Sequence, residues 1–261
     1  MASSAPQIDA VAELQNAFKV LFANWQLAIP TALVALLAGV VFVFMLAGVM
    51  ATFMGAGVLG GMHPDAAGAL LGVGGLTLVV ALVVLVLLSL LASATVVGAA
   101  EHVWHGEPPD LAGGFSKAMA KLPQLLVLFL IWIVLSIICG LLTVAFFLGT
   151  ILGILLAFFF MFAIPAIVVG NRSAMEALSE SYRIVRANVG PSLMAALGIV
   201  VVVIVGQIII AIFSHIPVLN LVLSFVVGGL MSAYAALVMV RFYDLLQGTA
   251  PRPAVKTTPT L

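Results

Sequence analysis

The sequence predicts an all-α integral membrane protein whose six transmembrane helices form three helical hairpins, each preceded by an amphipathic surface helix. Of its 261 residues, 65% are hydrophobic and only 7% are charged, a balance that soluble domains do not have. The apolar runs are unbroken and long enough for helices of about 20 residues, and they lack the alternation of membrane β-strands. Polar segments with helical spacing precede every second apolar run.

The same composition narrows the range of functions. The formal net charge is zero, so no general attraction to nucleic acid is expected. The single cysteine, Cys139, lies within an apolar run and cannot form an intrachain disulfide. The residues before the first apolar run lack a basic segment, and that run is long enough to be a full span, so no cleavable signal peptide is expected.

The first unit begins with a predicted surface helix over about residues 8–25. Its apolar residues share one face, and Trp25 ends it at the depth that indole rings favour. Two spans follow, over about residues 28–54 and 69–99, and the second is long enough that we expect it to tilt or protrude. The apolar face consists of Ile8, Val11, Leu14, Phe18, Leu21, Phe22 and Trp25, and the polar face of Asp9, Glu13, Asn16 and Lys19.

The second unit begins with a polar segment whose later part, about residues 111–121, is predicted to form a short, glycine-weakened surface helix. The charge-free stretch that follows is too long for one span and suits two, over about residues 122–147 and 150–170. We expect the chain to reverse near Gly149 and Thr150, and Pro165 to kink the second of these spans.

The third unit contains a predicted surface helix over about residues 173–187. Ser173 and Glu176 have the spacing of a capping box, and Glu180 is close enough to Arg183 to form a weak pair on the polar face. The apolar face consists of Ala174, Met175, Leu178, Tyr182 and Val185, and the polar face of Glu176, Ser179, Glu180, Arg183 and Arg186.

Two further spans, over about residues 192–213 and 219–243, complete a single membrane domain that covers residues 1–247. Residues 248–261 are polar and contain prolines, so they are predicted to form a disordered cytoplasmic tail.

The basic residues determine the predicted orientation. With six spans, all nine lie on one side of the membrane, and the opposite loops contain none. The positive-inside rule makes that side cytoplasmic, so both termini are predicted to face the cytoplasm and the protein to lie in the cytoplasmic membrane. The nine residues are Lys19, Lys117, Lys121, Arg172, Arg183, Arg186, Arg241, Arg252 and Lys256.

The three units share an internal repeat. In each unit an aromatic residue is followed closely by a base, a polar residue lies six positions beyond the aromatic, and a proline opens the next span. This shared order predicts three helix-plus-hairpin modules. The aromatic residues are Phe18, Phe115 and Tyr182, the polar residues Asn24, Lys121 and Asn188, and the prolines Pro30, Pro123 and Pro191.

One cluster could bind a metal. His102 and His105 can share a helix face, and with Glu101 they are candidate ligands for a zinc ion. The alternative is an interfacial loop that Trp104 anchors in the membrane, and the glycine and prolines that follow favour this alternative. No metal or other cofactor is therefore predicted.

The predicted spans contain almost no ionisable residue, whereas ion-coupled transporters usually need buried charges at membrane depth. Gln207 is the most polar deep residue, and we expect it to make a hydrogen bond between helices rather than a substrate contact.

The passage from Pro165 to Gly190 resembles the membrane domain attached to some bacterial glycerophosphodiester phosphodiesterases, and related stand-alone polytopic proteins of unknown role. In those enzymes a separate soluble barrel performs the catalysis, so the resemblance implies a membrane module without phosphodiesterase activity. The matching residues are Pro165, Ala177, Leu178, Ser181, Tyr182, Arg183, Arg186, Asn188 and Gly190.

These patterns favour a non-enzymatic accessory or lipid-interacting protein, with membrane lipids as partners and a second copy or another membrane protein as a further candidate. The alternatives are a transporter or flippase for an apolar or amphipathic substrate, and a metal-dependent membrane enzyme. No catalytic residue and no nucleic-acid partner are predicted. The predicted headgroup contacts are Lys19, Trp25, Trp104, Lys117, Lys121, Arg172, Arg183 and Arg186.

Overall fold

The structure, a computed structural model, describes residues 9–58, 64–146 and 148–248, and their side chains except those of 45–58, 64–79, 144–146 and 217–218. Ile8 lies outside these residues, and so does the predicted tail after Gly248, which contains Arg252 and Lys256. The regular elements within them are ten α-helices and one short 3₁₀ helix, Trp25–Ala28. The α-helices are α1 Ala10–Ala23, α2 Ile29–Val58, α3 Pro64–Trp104, α4 Leu111–Ala120, α5 Leu122–Phe146, α6 Leu148–Phe159, α7 Ala163–Val168, α8 Ala174–Ala187, α9 Val189–Ile212 and α10 Pro217–Gln247.

Six stretches of helix, of 20 to 29 residues each, are long and apolar enough to cross a membrane within the described part of the chain. The prediction of a six-span, all-helical membrane protein is confirmed at this level. Helices α2, α3, α5, α9 and α10 each supply one span, and α6 and α7 together supply the fourth. Helix α3 exceeds its predicted range at both ends, and its 41 residues extend over about 60 Å, about twice the thickness of a bilayer core.

The fourth span is interrupted between α6 and α7, on the N-terminal side of Pro165. Proline has no amide hydrogen and its ring clashes with the carbonyl four residues earlier, so the helix cannot continue undisturbed through this point. The Ser181 hydroxyl from α8 occupies the break. It donates to the Phe159 carbonyl O at 2.8 Å and accepts from the Phe162 N–H at 3.1 Å. These two backbone groups, at the break in the helix, are therefore both hydrogen-bonded.

The reversal between α5 and α6 comes earlier than predicted. Helix α5 ends at Phe146 and α6 begins at Leu148, so Gly149 and Thr150 belong to α6 and not to a turn. Gly149 faces α5 so closely that a Cβ there would collide with the Cys139 carbonyl O. The glycine at this position therefore permits close helix packing, which is how small residues act in membrane proteins.

The buried core lies mainly between α3, α7 and α10, near the ends of the spans against which the short helices pack. Helix α10 contacts α1, α2, α3 and α9, and α3 contacts α2, α4 and α7. The remaining span surfaces expose many large apolar side chains, as lipid-facing surfaces do. The core residues of these three helices include Val96, Val97, Ala99, Ala100, Ala166, Ile167, Leu237, Val238, Val240 and Phe242.

Candidate membrane-surface site

Three short helices, α1, α4 and α8, begin in a similar way. The Asp9 carboxylate accepts from the Ala12 N–H at 3.1 Å, and the Asp110 carboxylate accepts from the Gly113 N–H at 2.8 Å. In α8 the predicted capping box is present, and the Glu176 carboxylate accepts from the Ser173 N–H at 3.0 Å. This hydrogen bond to the charged form lowers the pKa of Glu176 below its usual value. Each cap satisfies amides that have no partner within the helix.

The three short helices also end at equivalent positions of the repeat. The C-terminal caps of α1, α4 and α8 are Asn24, Lys121 and Asn188, the polar residues six positions after the repeated aromatic residue. The Asn24 amide donates to the Val20 carbonyl O at 3.0 Å, and the Asn188 amide donates to that of Ile184 at 3.1 Å. The sequence repeat thus corresponds to a repeated way of ending a helix.

One face of each short helix packs on the bundle, and alanine or glycine is among the buried residues of each. The closest approach is that of α4 to α3, where a Cβ on Gly114 would lie 2.5 Å from the Thr95 carbonyl O. Opposite it, a Cβ on Gly98 would lie 3.1 Å from the Gly114 Cα. The glycines that weaken α4 as an isolated helix are therefore what allow it to dock. The buried residues of the three helices are Ala17, Leu21, Gly114, Ala118, Ala174, Ala177, Leu178, Glu180, Ser181, Ile184 and Val185.

Another face of each short helix exposes large apolar side chains. Trp25, just after α1, is 59% exposed, and Met175 of α8 is 66% exposed. Met175 and Tyr182 were predicted to share the apolar face that includes the buried Leu178, but both are exposed, although the Tyr182 ring also lies 5.2 Å from that of Phe159. Aromatic residues in such positions are typical of the membrane–water interface. The exposed set is Val11, Phe18, Phe22, Trp25, Phe115, Met119, Met175 and Tyr182.

Basic side chains without an acidic partner accompany this exposed set. Lys19, Lys121, Arg183 and Arg186 form no ion pair with any residue that the structure describes. By contrast, Lys117 contacts Glu101 at 2.8 Å and Arg172 contacts Glu180 at 2.7 Å. Arg241 contacts Glu13, and His102 contacts Glu107. Outside these pairs, the four basic residues outnumber the three capping carboxylates of Asp9, Asp110 and Glu176.

The predicted contact of Trp104 with lipid headgroups is wrong, because its side chain is only 6% exposed. Its indole N–H donates to the Leu237 carbonyl O at 3.0 Å. The Arg241 guanidinium carbon lies 5.0 Å from the centre of its ring, within range of a cation–π interaction. Trp104 therefore joins α3 to α10 within the protein and does not anchor a loop in the membrane.

Arg241 is the centre of a buried polar cluster that the sequence did not predict. Its side chain is 2% exposed, and its Nε and Nη2 donate to the two Glu13 carboxylate oxygens at 2.8 and 3.1 Å. Glu13 was predicted to lie on the outer polar face of the first surface helix, and this prediction was wrong. The buried Asp244, one turn further along α10, has partners of its own in this region.

Glu180 forms a second buried contact between a short helix and α10. Its carboxylate accepts from Arg172 Nε at 2.7 Å, from the Tyr243 hydroxyl at 2.9 Å and from the Gln247 amide. The predicted pair of Glu180 with Arg183 on the outer face is therefore wrong, because Glu180 faces inward. Glu13 and Glu180 are each 63 or more positions from their partners in α10. The residues near them in the sequence therefore gave no indication that they would be buried.

The three candidate metal ligands contact groups within the protein, and Lys117 contacts two of them. Glu101 contacts Lys117, and His105 Nδ1 contacts the Glu101 carbonyl O at 2.8 Å. His102 Nδ1 lies 3.0 Å from Glu107, and its Nε2 lies 3.5 Å from Lys117 Nζ. Lys117 can only donate, so a neutral His102 ring that accepts from it at Nε2 would present its Nδ1–H to the Glu107 carboxylate. Among the residues described, no three histidine, cysteine or acidic side chains are arranged to hold a metal ion.

Gln207 lies on the exposed face of α9. The neighbouring Gly206 faces α10, where a Cβ would collide with Met231. No described residue bonds to the Gln207 side chain, so its hydrogen bond to another helix stays a prediction.

Comparison with known proteins yields one match. A family model described as "Domain of unknown function (DUF7847)" matches residues 112–250, from α4 to beyond the end of α10. No curated protein and no solved structure matches the chain.

Proposed function

This chain belongs to the DUF7847 family, whose function is unknown, and we propose that it is a non-enzymatic, lipid-interacting module of the cytoplasmic membrane. Its three short helices lie in the headgroup layer of the inner leaflet and hold anionic lipids there. The observation that carries this proposal is the combination, on these helices, of exposed aromatic and methionine side chains with basic residues that have no acidic partner among the described residues.

The charges support an anionic partner. Every acidic residue whose side chain the structure describes either caps a helix, forms an ion pair or is buried, as Asp244 is. Lys19, Lys121, Arg183 and Arg186 therefore form no ion pair with a described residue, and they outnumber the three capping carboxylates on these helices. A basic residue near an anionic leaflet contributes about 1 kcal/mol to binding, and four together hold a set of anionic headgroups.

The proposal places the spans as three hairpins with both termini in the cytoplasm. The contacts of α2 with α3, of α5 with α6 and of α9 with α10 support this pairing. The positive-inside rule supports the orientation, because the basic residues all fall on the side of the short helices.

The resemblance of the passage from Pro165 to Gly190 to the membrane domains of bacterial glycerophosphodiester phosphodiesterases supports the same proposal. Such a module shares the lipid environment of those enzymes and supplies no phosphodiesterase chemistry.

The test is the lipid preference of the full chain in bilayer nanodiscs of phosphatidylcholine with a minority of phosphatidylglycerol. Native mass spectrometry of the released protein counts the lipids of each class that remain bound. We expect phosphatidylglycerol to be enriched over its bulk fraction, and R183Q/R186Q to lower this enrichment by about fivefold per charge removed. The enrichment should also fall as salt is raised, because these charges are exposed.

The matched control is R183K/R186K, which keeps both charges and should retain most of the enrichment. Equal retention of the two lipid classes by the unmodified chain would contradict the proposal. So would an R183Q/R186Q protein that folds normally and keeps the full preference.

A further inference from the structure

A groove lies between the C-terminal end of α1 and the chain that follows α3. It encloses about 640 Å³ and is lined by Lys19, Val20, Ala23, Asn24, Val103, Gly106, Glu107 and Pro108. Its residues adjoin two ends of the membrane spans, because one candidate span starts at Trp25 and another ends at Trp104. The groove is therefore located at the boundary between the apolar band and the polar surface.

The walls of this groove have opposite charges that do not neutralise each other. Lys19 forms no ion pair with a described residue, and Glu107 pairs through Oε2 with His102. The second carboxylate oxygen, Oε1, has no partner among the residues described. The Asn24 amide nitrogen is engaged with the Val20 carbonyl O, which leaves its side-chain oxygen as an acceptor.

Such a groove suits a ligand that carries both charges a short distance apart. A simple anion would be repelled by Glu107 and a simple cation by Lys19. A quaternary ammonium has no N–H to donate and is recognised by aromatic rings, and no aromatic side chain lines this groove. A primary ammonium can donate to Glu107 Oε1 and to the Asn24 side-chain oxygen, while a phosphate accepts from Lys19.

The position of the groove also provides a route for acyl chains. Phe22 and Trp25 adjoin the lining residues in the chain, and 63% and 59% of their surfaces are exposed. Helix α2 follows the 3₁₀ helix after α1 and exposes the apolar side chains of Leu33 and Leu37. A lipid whose headgroup lies in the groove would therefore place its acyl chains against α2. A soluble phosphoamine has no acyl chains and would gain no binding free energy from this contact.

From this geometry we infer that the groove binds the headgroup of an aminophospholipid, a phosphodiester with a primary ammonium, such as phosphatidylethanolamine. The phosphate contacts Lys19, and the ammonium contacts Glu107 and Asn24. This inference rests on the proposed position of the short helices in the headgroup layer. Lys19 belongs to both proposals, whereas Glu107 and Asn24 serve only this one and Arg183 and Arg186 of α8 serve only the binding of anionic lipids.

The test uses the full chain in nanodiscs of phosphatidylcholine with an equal minority of phosphatidylethanolamine and its N-methyl, N,N-dimethyl and phosphatidylglycerol counterparts, one at a time. Native mass spectrometry measures how many copies of each remain bound. We expect retention to fall stepwise with each added methyl group, and E107Q to lower retention of phosphatidylethanolamine by about fivefold. E107D should restore part of it, and K19Q should lower it by a similar factor.

The alternative ligand is a soluble phosphoamine with the same phosphate and ammonium groups. Free phosphoethanolamine in millimolar excess tests this alternative, and we expect that it does not displace the lipid. Control R183Q/R186Q should keep the phosphatidylethanolamine preference while losing the phosphatidylglycerol preference, so failure of one idea leaves the other testable. Equal retention of phosphatidylethanolamine and phosphatidylcholine by the unmodified chain would overturn the inference. An E107Q protein with an unchanged melting temperature and unchanged retention would also overturn it.

Discussion

At the scale of single residues, the stability of the bundle depends on charges that are buried and paired. Arg241 is enclosed by Glu13 from α1 and Trp104 from α3, and its planar guanidinium matches both the carboxylate and the indole face. Removing one partner of such a pair leaves an uncompensated charge in a medium of low dielectric constant. Glu13 and Arg241 should therefore be strongly coupled, although they are far apart in the chain.

We expect R241Q to lower the free energy of unfolding by about 3 kcal/mol or more, because Glu13 then keeps its charge without a partner. E13Q should also lower it, because Arg241 then loses both carboxylate oxygens of Glu13. The double variant R241M/E13M should lose less than the sum of the two single losses, because the two charges are removed together. Denaturant titration in detergent micelles measures all three, and additive losses in the double variant would contradict the coupling.

At the scale of elements, the three short helices each meet three environments: the bundle, the lipid and water. A two-faced helical pattern assigns apolar residues to the inside and polar residues to the outside. In this protein Glu13 and Glu180 face the bundle, whereas Phe22 and Met175 face outward. The periodicity of apolar residues therefore locates each helix correctly. It does not show which of its apolar residues pack against the bundle and which face the lipid.

Much of the architecture could be predicted because it depends on local chemistry. The six spans follow from long apolar runs, and the starts and ends of the short helices follow from Ser173, Asn24 and Asn188. Trp104 and Arg241 could not be placed in this way, since their partners come from distant parts of the chain. Long-range polar contacts leave no periodic signal in a single sequence.

The close packing of α4 against α3 leads to a prediction about Gly114. G114A should weaken the docking of α4 on α3 and lower stability by about 1–3 kcal/mol, because the added Cβ meets the backbone of Thr95 and Ala99. Amide hydrogen exchange over residues 111–120 should accelerate. The matched control is G153A in α6, where a Cβ would have open space within 4 Å.

G153A should be neutral or stabilise the protein by about 0.5–1 kcal/mol, as alanine does in place of glycine inside a helix. If G114A and G153A had the same effect on stability and exchange, the close contact of α4 with α3 would not be what holds the helix in place.

At the scale of the whole molecule, the account depends on sidedness. The unpaired bases, the exposed aromatic side chains and the groove all adjoin the short helices, so they act on one leaflet only if those helices lie on one side. Helix α10 contacts α1 and α8 through Glu13 and Glu180, and these buried contacts make the helices part of one unit with the spans.

The most direct test of this sidedness is labelling of an engineered cysteine on α8. The exposed residue Ser179 is replaced by cysteine in a protein that already carries C139A, and intact cells are treated with a membrane-impermeant maleimide. We expect no labelling of S179C until the cells are permeabilised, while H215C, between α9 and α10, should be labelled in intact cells. Labelling of S179C in intact cells, with H215C protected, would contradict the proposed orientation and the lipid contacts that depend on it.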